Sequence, residues 1–162
     1  MVSLSRLWLA ILISAVLVFF TSFLIHMIIG YHAADYGRAP SEDAVMDVLR
    51  GFSIPPGDYL LPCPGRQGAR DPEFVAKHKK GPVVMMTVFP AGDLGMGKQL
   101  GMWFVYCVVV GLFGAYRTSR ALPAGTAYLE VFRFSATVAF VGYGMALWQH
   151  SIWYRRKWST TI

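Results

Sequence analysis

GKQLGMWFVYCVVVGLFGAYRTSRALPAGTAYLEVFRFSATVAFVGYGMALWQHSIW, residues 97 to 153, is the stretch whose reading decides the fold. Two apolar segments, each of about 20 residues and so long enough to cross a hydrocarbon layer, flank a short connector from Arg117 to Gly125. Upstream, Leu7 to Gly30 reads LWLAILISAVLVFFTSFLIHMIIG, a third run of membrane length without a full charge. The expected fold is therefore a mainly α membrane protein, with three transmembrane helices and a small α/β extramembrane unit between helices 1 and 2. The division follows directly: 1–30 is an N-terminal anchor helix, 31–96 the polar unit, and 97–162 a helix pair with a short C-terminal tail.

Composition agrees with that division. Of 162 residues, 55% are hydrophobic, and they gather in long runs instead of being spread as a soluble core would spread them. The net charge of +6 would suggest nucleic acid if the cations formed a patch, but Arg38, Arg50, Arg66 and Arg70 lie among carboxylates. Only Arg155, Arg156 and Lys157 cluster, directly after an apolar run, where lipid headgroups are the natural partner. The two cysteines, Cys63 in the polar region and Cys107 mid-span, form neither a disulfide framework nor a zinc or haem-attachment motif.

The first run starts like a signal sequence, with Arg6 before it, yet it is longer than a signal core and no small-x-small site follows. An uncleaved anchor is expected. Arg6, Arg117 and Arg120 would share one side of the membrane, which places the amino terminus in the cytoplasm of a bacterial inner membrane and residues 31–96 in the periplasm.

Within the polar unit, Pro40-Ser41-Glu42-Asp43 reads as a helix start with Ser41 as cap, Val45, Val48 and Leu49 as an apolar stripe, and Gly51 as the stop. Pro55-Pro56-Gly57 turns into a short strand from Asp58 to Leu61. Asp71 caps a second helix with Pro72 at its first position, its lysines near 77 to 80 suit a C-terminus, and Gly81-Pro82 ends it. PVVMMTVF, from Pro82, is a second strand. Four elements in under 70 residues bury too little apolar area for an independent core. The unit is expected to lean on membrane helices or on a partner.

The second membrane helix, about Lys98 to Tyr116, carries Gly97 and Gly101 as GxxxG. The third, about Thr126 to Trp153, carries Ser135, Ala139, Gly142 and Ala146 on one continuous face. These six positions are the candidate helix-packing or partner contacts. The face packs either against the chain's own helices or against another subunit. Trp103 and Tyr106, and separately Trp148, Trp153, Tyr154 and Trp158, have the placement of interfacial aromatic belts.

Chemistry is sparse. Gly92 to Lys98 matches GxxxxGK, but Gln99 stands where a magnesium-holding Ser or Thr is required and the following helix is a membrane span, so nucleotide binding is not expected. Glu130 and Arg133, one turn apart, should pair, and no further ionisable chain continues a proton path. Of the four histidines, His26, His32 and His150 would fall at one membrane face in a three-helix topology. Facing imidazoles there could ligate a haem or a chlorophyll, while the plainer alternative is an interfacial side chain bonded to a carbonyl or headgroup. No catalytic residue set and no structural metal site is legible.

With Glu42-Asp43-Ala44-Val45-Met46, Pro56-Gly57-Asp58-Tyr59, Pro62-Cys63, Gly81-Pro82-Val83, Met96-Gly97-Lys98, Leu100 to Phe104, Leu122 to Thr126, Val131-Phe132-Arg133 and His150 to Trp153 in view, the chain resembles a family of small, uncharacterised bacterial inner-membrane proteins with an extramembrane loop domain after the first helix. The resemblance implies architecture and no activity. It also implies a fourth membrane helix beyond the stretch like Trp158 to Ile162, where this sequence stops: either that helix is lost or the sequence covers part of a longer protein. The functional expectation is a non-catalytic accessory or scaffold subunit, not an enzyme, whose partners are other integral-membrane subunits and lipid, with no nucleic acid. The expected setting is a larger inner-membrane complex of respiration or photosynthesis. The alternative is a haem- or chlorophyll-binding redox or pigment protein using His26, His32 and His150; a membrane enzyme or transporter is a third.

Overall fold

The structure, a computed structural model, describes residues 2–66, 68–93 and 95–161. Its helices are α1 Trp8–Phe23, α2 Glu42–Gly51, α3 Pro72–Lys80, α4 Gly97–Ala121, α5 Tyr128–Tyr143, α6 Trp148–Tyr154 and α7 Trp158–Thr161, and its strands are β1 Gly57–Leu61 and β2 Val84–Val88. Two compact units result, one of Met1–Tyr36 with Gly95–Ile162 and the other of Gly37–Leu94.

The first unit holds three helices long and apolar enough to cross a membrane: Trp8–Ile29, Gly97–Ala121 and Tyr128–Tyr154. The first continues past α1 through a π-helical turn, Leu24–Ile29, and stops where Gly30 turns left-handed at φ 65°. Spans 1 and 3 both pack against span 2 and make no comparably broad contact with each other. Close approach of spans 1 and 2 depends on Gly111, where a Cβ would lie 3.4 Å from Ile11 Cγ2 and 3.5 Å from the Ile11 carbonyl. Phe19 meets Phe104 edge to face at 5.7 Å, and Ala15 and Cys107 are fully buried. Between spans 2 and 3, Val110 fills the space left at Gly142, and the hydroxyls of Thr118 and Ser135 share a 3.1 Å hydrogen bond.

Two details differ from the sequence reading. Arg117 and Arg120 are not in a connector: α4 runs on to Ala121, because cations suit the negative end of a helix. The turn shortens to Leu122–Ala127, closed by Thr126 Oγ1 donating to the Pro123 carbonyl at 2.7 Å. The third span is also not one continuous α-helix. Gly142 and Gly144 weaken it, and a 3-10 turn, Met145–Leu147, separates α5 from α6. Ser135, Ala139 and Gly142 share α5, whereas Ala146 lies in the 3-10 turn, so the four small residues do not line a single helical face.

In the second unit, β1 and β2 pair antiparallel from Gly57 opposite Val88 to Leu61 opposite Val84. Thr87 donates to Asp58 across the pair at 2.6 Å. Asp71 caps α3 by accepting the Glu73 N–H at 3.0 Å, and Gly81, at φ 62°, ends it. Ser41 behaves otherwise than expected: it sits at φ 51° and makes no side-chain cap. Gly51 is still helical, with Phe52 beyond it as the C-cap. None of the described residues from Gly37 to Asp93 is buried.

Candidate functional site

The first span ends in a way that builds a site. At the π-helical turn His26 reaches back and donates Nδ1–H to the Ser22 carbonyl at 2.8 Å. Gly30 then reverses the chain, with the Tyr31 N–H returning to the Ile25 carbonyl at 3.2 Å, a closure one residue wider than a Schellman end because the last turn is π-helical. The reversal lays His32 over His26, the two rings stacked at 4.9 Å and 25°. His32 in turn places Nδ1 2.8 Å from Asp35 Oδ2, and the Asp35 side chain is only 15% exposed.

The end of the third span supplies the other wall. Leu147 closes the 3-10 turn, and His150 lies in α6 with its ring 5.5 Å from Tyr154. The chain turns at Arg155, φ 54°, and the Arg156 N–H donates to the His150 carbonyl at 3.3 Å. The Arg156 guanidinium donates to the Tyr36 hydroxyl at 3.0 Å, tying the end of the third span to the chain just past the first. Ser151 is buried, and its hydroxyl meets that of Thr161 at 2.6 Å, which fixes α7 on α6.

These residues enclose one cleft of about 320 Å³, lined by His26, His32, Asp35, Leu147, His150, Arg156, Thr160 and Thr161. Three histidines from two spans thus share it. His78, the fourth, is elsewhere on α3, against Phe74 at 5.7 Å.

Comparison with family models, curated proteins and solved structures returns no match. What the cleft can do therefore rests on its own chemistry. Both Nδ1 atoms of the stacked pair are committed to acceptors, so in the neutral rings Nε2 carries the lone pair, the arrangement that orients imidazoles as ligands or as hydrogen-bond acceptors. A haem iron held between two imidazoles sits about 2 Å from each nitrogen, which would put the ring centroids about 6 Å apart across it. The stacked pair at 4.9 Å, face to face, does not have that form. No group of three or more His, Cys, Asp or Glu side chains is placed to hold a metal ion among the described residues.

The other positions singled out in the sequence fall in three settings. Ser135 and Gly142 face span 2, and the Gly142 carbonyl also accepts from the Tyr106 hydroxyl. Ala139 is half-buried, and Ala146 is exposed. At Gly97 and Gly101 an added Cβ would meet nothing within 4 Å. Trp103 and Tyr106 are a packing feature: with Tyr143 they form a three-ring cluster at 5.5–5.9 Å across spans 2 and 3. Glu130 and Arg133 pair with each other at 2.5 Å. The GxxxxGK stretch includes Leu94, which lies outside the described residues.

Sequence reasoning missed Asp35, Tyr36, Thr160 and Thr161, and had Arg156 only as one of a headgroup-facing cluster. For Asp35 a signal was available in the i, i+3 spacing from His32. For the threonines, and for the turning of Arg156 toward the histidines, none was, because their place depends on the left-handed turn at Arg155.

Proposed function

We propose that this multi-pass chain is a non-catalytic accessory or scaffold subunit of a larger bacterial inner-membrane complex, respiratory or photosynthetic in kind, with its amino terminus cytoplasmic and residues 31–96 periplasmic. The supporting observation is the uncovered apolar face of α2. Val45, Val48, Leu49 and Phe52 follow one helical stripe and are 44, 59, 40 and 72% exposed. A contiguous apolar stripe on an extramembrane unit that buries no described residue marks a contact surface. Gly97 and Gly101 add a second place where a neighbouring helix backbone could come close, since nothing fills the space beside them.

Extraction in mild detergent tests the reading. The chain should migrate in a large complex of fixed stoichiometry, and Val48→Asp should release it without unfolding the spans. Recovery of the wild-type chain only as a free monomer would sink the proposal. Cysteine labelling at exposed Cys63 with an impermeant reagent in intact cells tests the orientation: labelling supports a periplasmic unit, protection reverses it.

A second reading, a haem or chlorophyll protein, is favoured by the convergence of His26, His32 and His150 on one cleft. In that case one imidazole Nε2 would be the axial ligand. An absorption spectrum of the purified chain decides it, and a preparation that stays colourless after haem or chlorophyll addition rejects it.

A further inference from the structure

The cleft has two chemically different walls. On one, His26 and His32 hold their Nδ1–H groups on Ser22 and Asp35 and so offer Nε2 lone pairs. On the other stand donors: the guanidinium of Arg156 and the hydroxyls of Thr160 and Thr161. Arg156 is held in position by Tyr36, through the 3.0 Å hydrogen bond and with Cζ 5.6 Å from the ring centroid. The Asp35 carboxylate accepts the His32 Nδ1–H at 2.8 Å and so is turned to that ring.

We propose that this cleft binds the headgroup of an anionic phosphodiester lipid that carries free hydroxyls, of the phosphoglycerol type. Arg156 with Thr160 and Thr161 takes the phosphate, because a planar guanidinium and adjacent hydroxyls match its oxygens. The lone pairs of His26 and His32 accept the glycerol hydroxyls. A simple cation is the wrong ligand for a wall built on Arg156. About 320 Å³ is at the lower end of the ~300–1,000 Å³ of ligand pockets, a size for a headgroup.

Position points to a lipid as the source of that chemistry. The cleft lies where the helices Trp8–Ile29 and Tyr128–Tyr154 end, the depth of headgroups. Trp148 and Trp158 stand beside it in sequence, 6.4 Å apart edge to face, and Arg155 and Lys157 flank Arg156. Spans 1 and 3 pack on span 2 instead of broadly on each other, so the cleft joins the ends of two helices that are not tightly packed together. The proposal uses only the membrane-length helices and the cleft, and holds whether or not a partner covers α2.

Native mass spectrometry of the full chain, released from nanodiscs of phosphatidylglycerol, phosphatidic acid or phosphatidylcholine, reads it directly. One phosphatidylglycerol per chain should be retained about tenfold better than phosphatidylcholine, with phosphatidic acid, which lacks the glycerol, between them. Arg156→Gln should abolish the preference for both anionic lipids, whereas Arg156→Lys keeps part of it. The double variant His26→Phe with His32→Phe, which preserves ring stacking, should make phosphatidylglycerol and phosphatidic acid equal. Equal retention of phosphatidylglycerol and phosphatidylcholine by the wild-type chain overturns the proposal without recourse to any variant. Displacement of bound lipid by millimolar glycerol phosphate overturns the lipid assignment and leaves a soluble phosphate ester as the ligand.

Discussion

Gly142→Ala tests whether the contact between spans 2 and 3 has the tightness the structure gives it. A Cβ there would stand 3.2 and 3.3 Å from the two methyls of Val110, several tenths of an ångström inside ordinary contact. Val110 is only 8% exposed and β-branched, so it has one comfortable rotamer in a helix and no free space to rotate into. The helices must separate slightly, and the Tyr106 hydroxyl must follow the Gly142 carbonyl. Overpacking of this kind costs about 1–3 kcal/mol. Against it stands the gain from replacing a helical glycine by alanine, about 1 kcal/mol in an aqueous helix. The balance is a net loss of about 0–2 kcal/mol, or a few degrees of melting temperature at roughly 2–4 °C per kcal/mol for a chain of this size. Gly101→Ala is the internal comparison: with nothing within 4 Å of the new methyl, it should leave thermal unfolding of the detergent-solubilised chain unchanged or slightly raised. Val110→Ala alone should destabilise, yet combined with Gly142→Ala it should cost less than the sum of the two. Strict additivity in that cycle, or a Gly142→Ala chain more stable than Gly101→Ala, would refute the contact.

Other consequences can be checked with similar means. Asp71→Ala removes the cap on the Glu73 N–H and should cost about 1 kcal/mol, seen as faster amide exchange across Pro72–Lys80. Ser135→Ala and Thr118→Val should each weaken the span 2–span 3 pair by about 0.6 kcal/mol, with strong coupling in a double-mutant cycle read by unfolding in mixed detergent. The hydrogen bond and charge of Glu73 raise the Lys77 ammonium above its ordinary value, so whatever that pair contributes is present below lysine's usual titration range and fades as pH rises through the elevated one. In Glu73→Gln, an NMR titration should find Lys77 moved downward. Gly30→Ala puts a side chain at φ 65°, at about 1 kcal/mol or more, and should loosen the turn that brings His32 onto His26, lowering phosphatidylglycerol retention while the three spans stay helical.

Much of the architecture is legible in the sequence because it rests on length and period. Three runs of membrane length give three helices of 22, 25 and 27 residues, and the polar unit yields helix, strand, helix, strand in the expected order. Asp71 with Pro72 is a local signal and is obeyed locally. What escaped depends on tertiary choices. Ser41 has the composition of a cap but takes a left-handed backbone, which aims its hydroxyl elsewhere. The small residues of the third span could be counted but not phased, because the 3-10 turn after Gly144 resets the helix before Ala146. That three histidines share an end of the bundle follows from the number of spans. That two of them stack does not.

The stacking has its origin in six residues of backbone. His26 and His32 are six apart, a separation that on a regular helix puts side chains about 120° apart and so on different faces, since six steps of 100° amount to 600°, or 240° after a full turn. The π-helical turn Leu24–Ile29 widens the helix, and Gly30, the one residue type free to turn left-handed there without strain, folds the next segment back over the last turn. His32 therefore arrives above His26, with Asp35 one further turn along to hold it. A membrane helix that only needed to end could do so at the headgroups with its carbonyls in water. This one ends instead in a wide closure after a π-helical turn, which sets a glycine, a carboxylate and two imidazoles on a single oriented surface. Across from it, the left-handed turn at Arg155 directs Arg156 back onto Tyr36, so the opposite wall is also fixed by backbone reversal. Two independent chain reversals that present acceptors on one side and donors on the other are costly ways to finish two helices, and their joint product is the cleft.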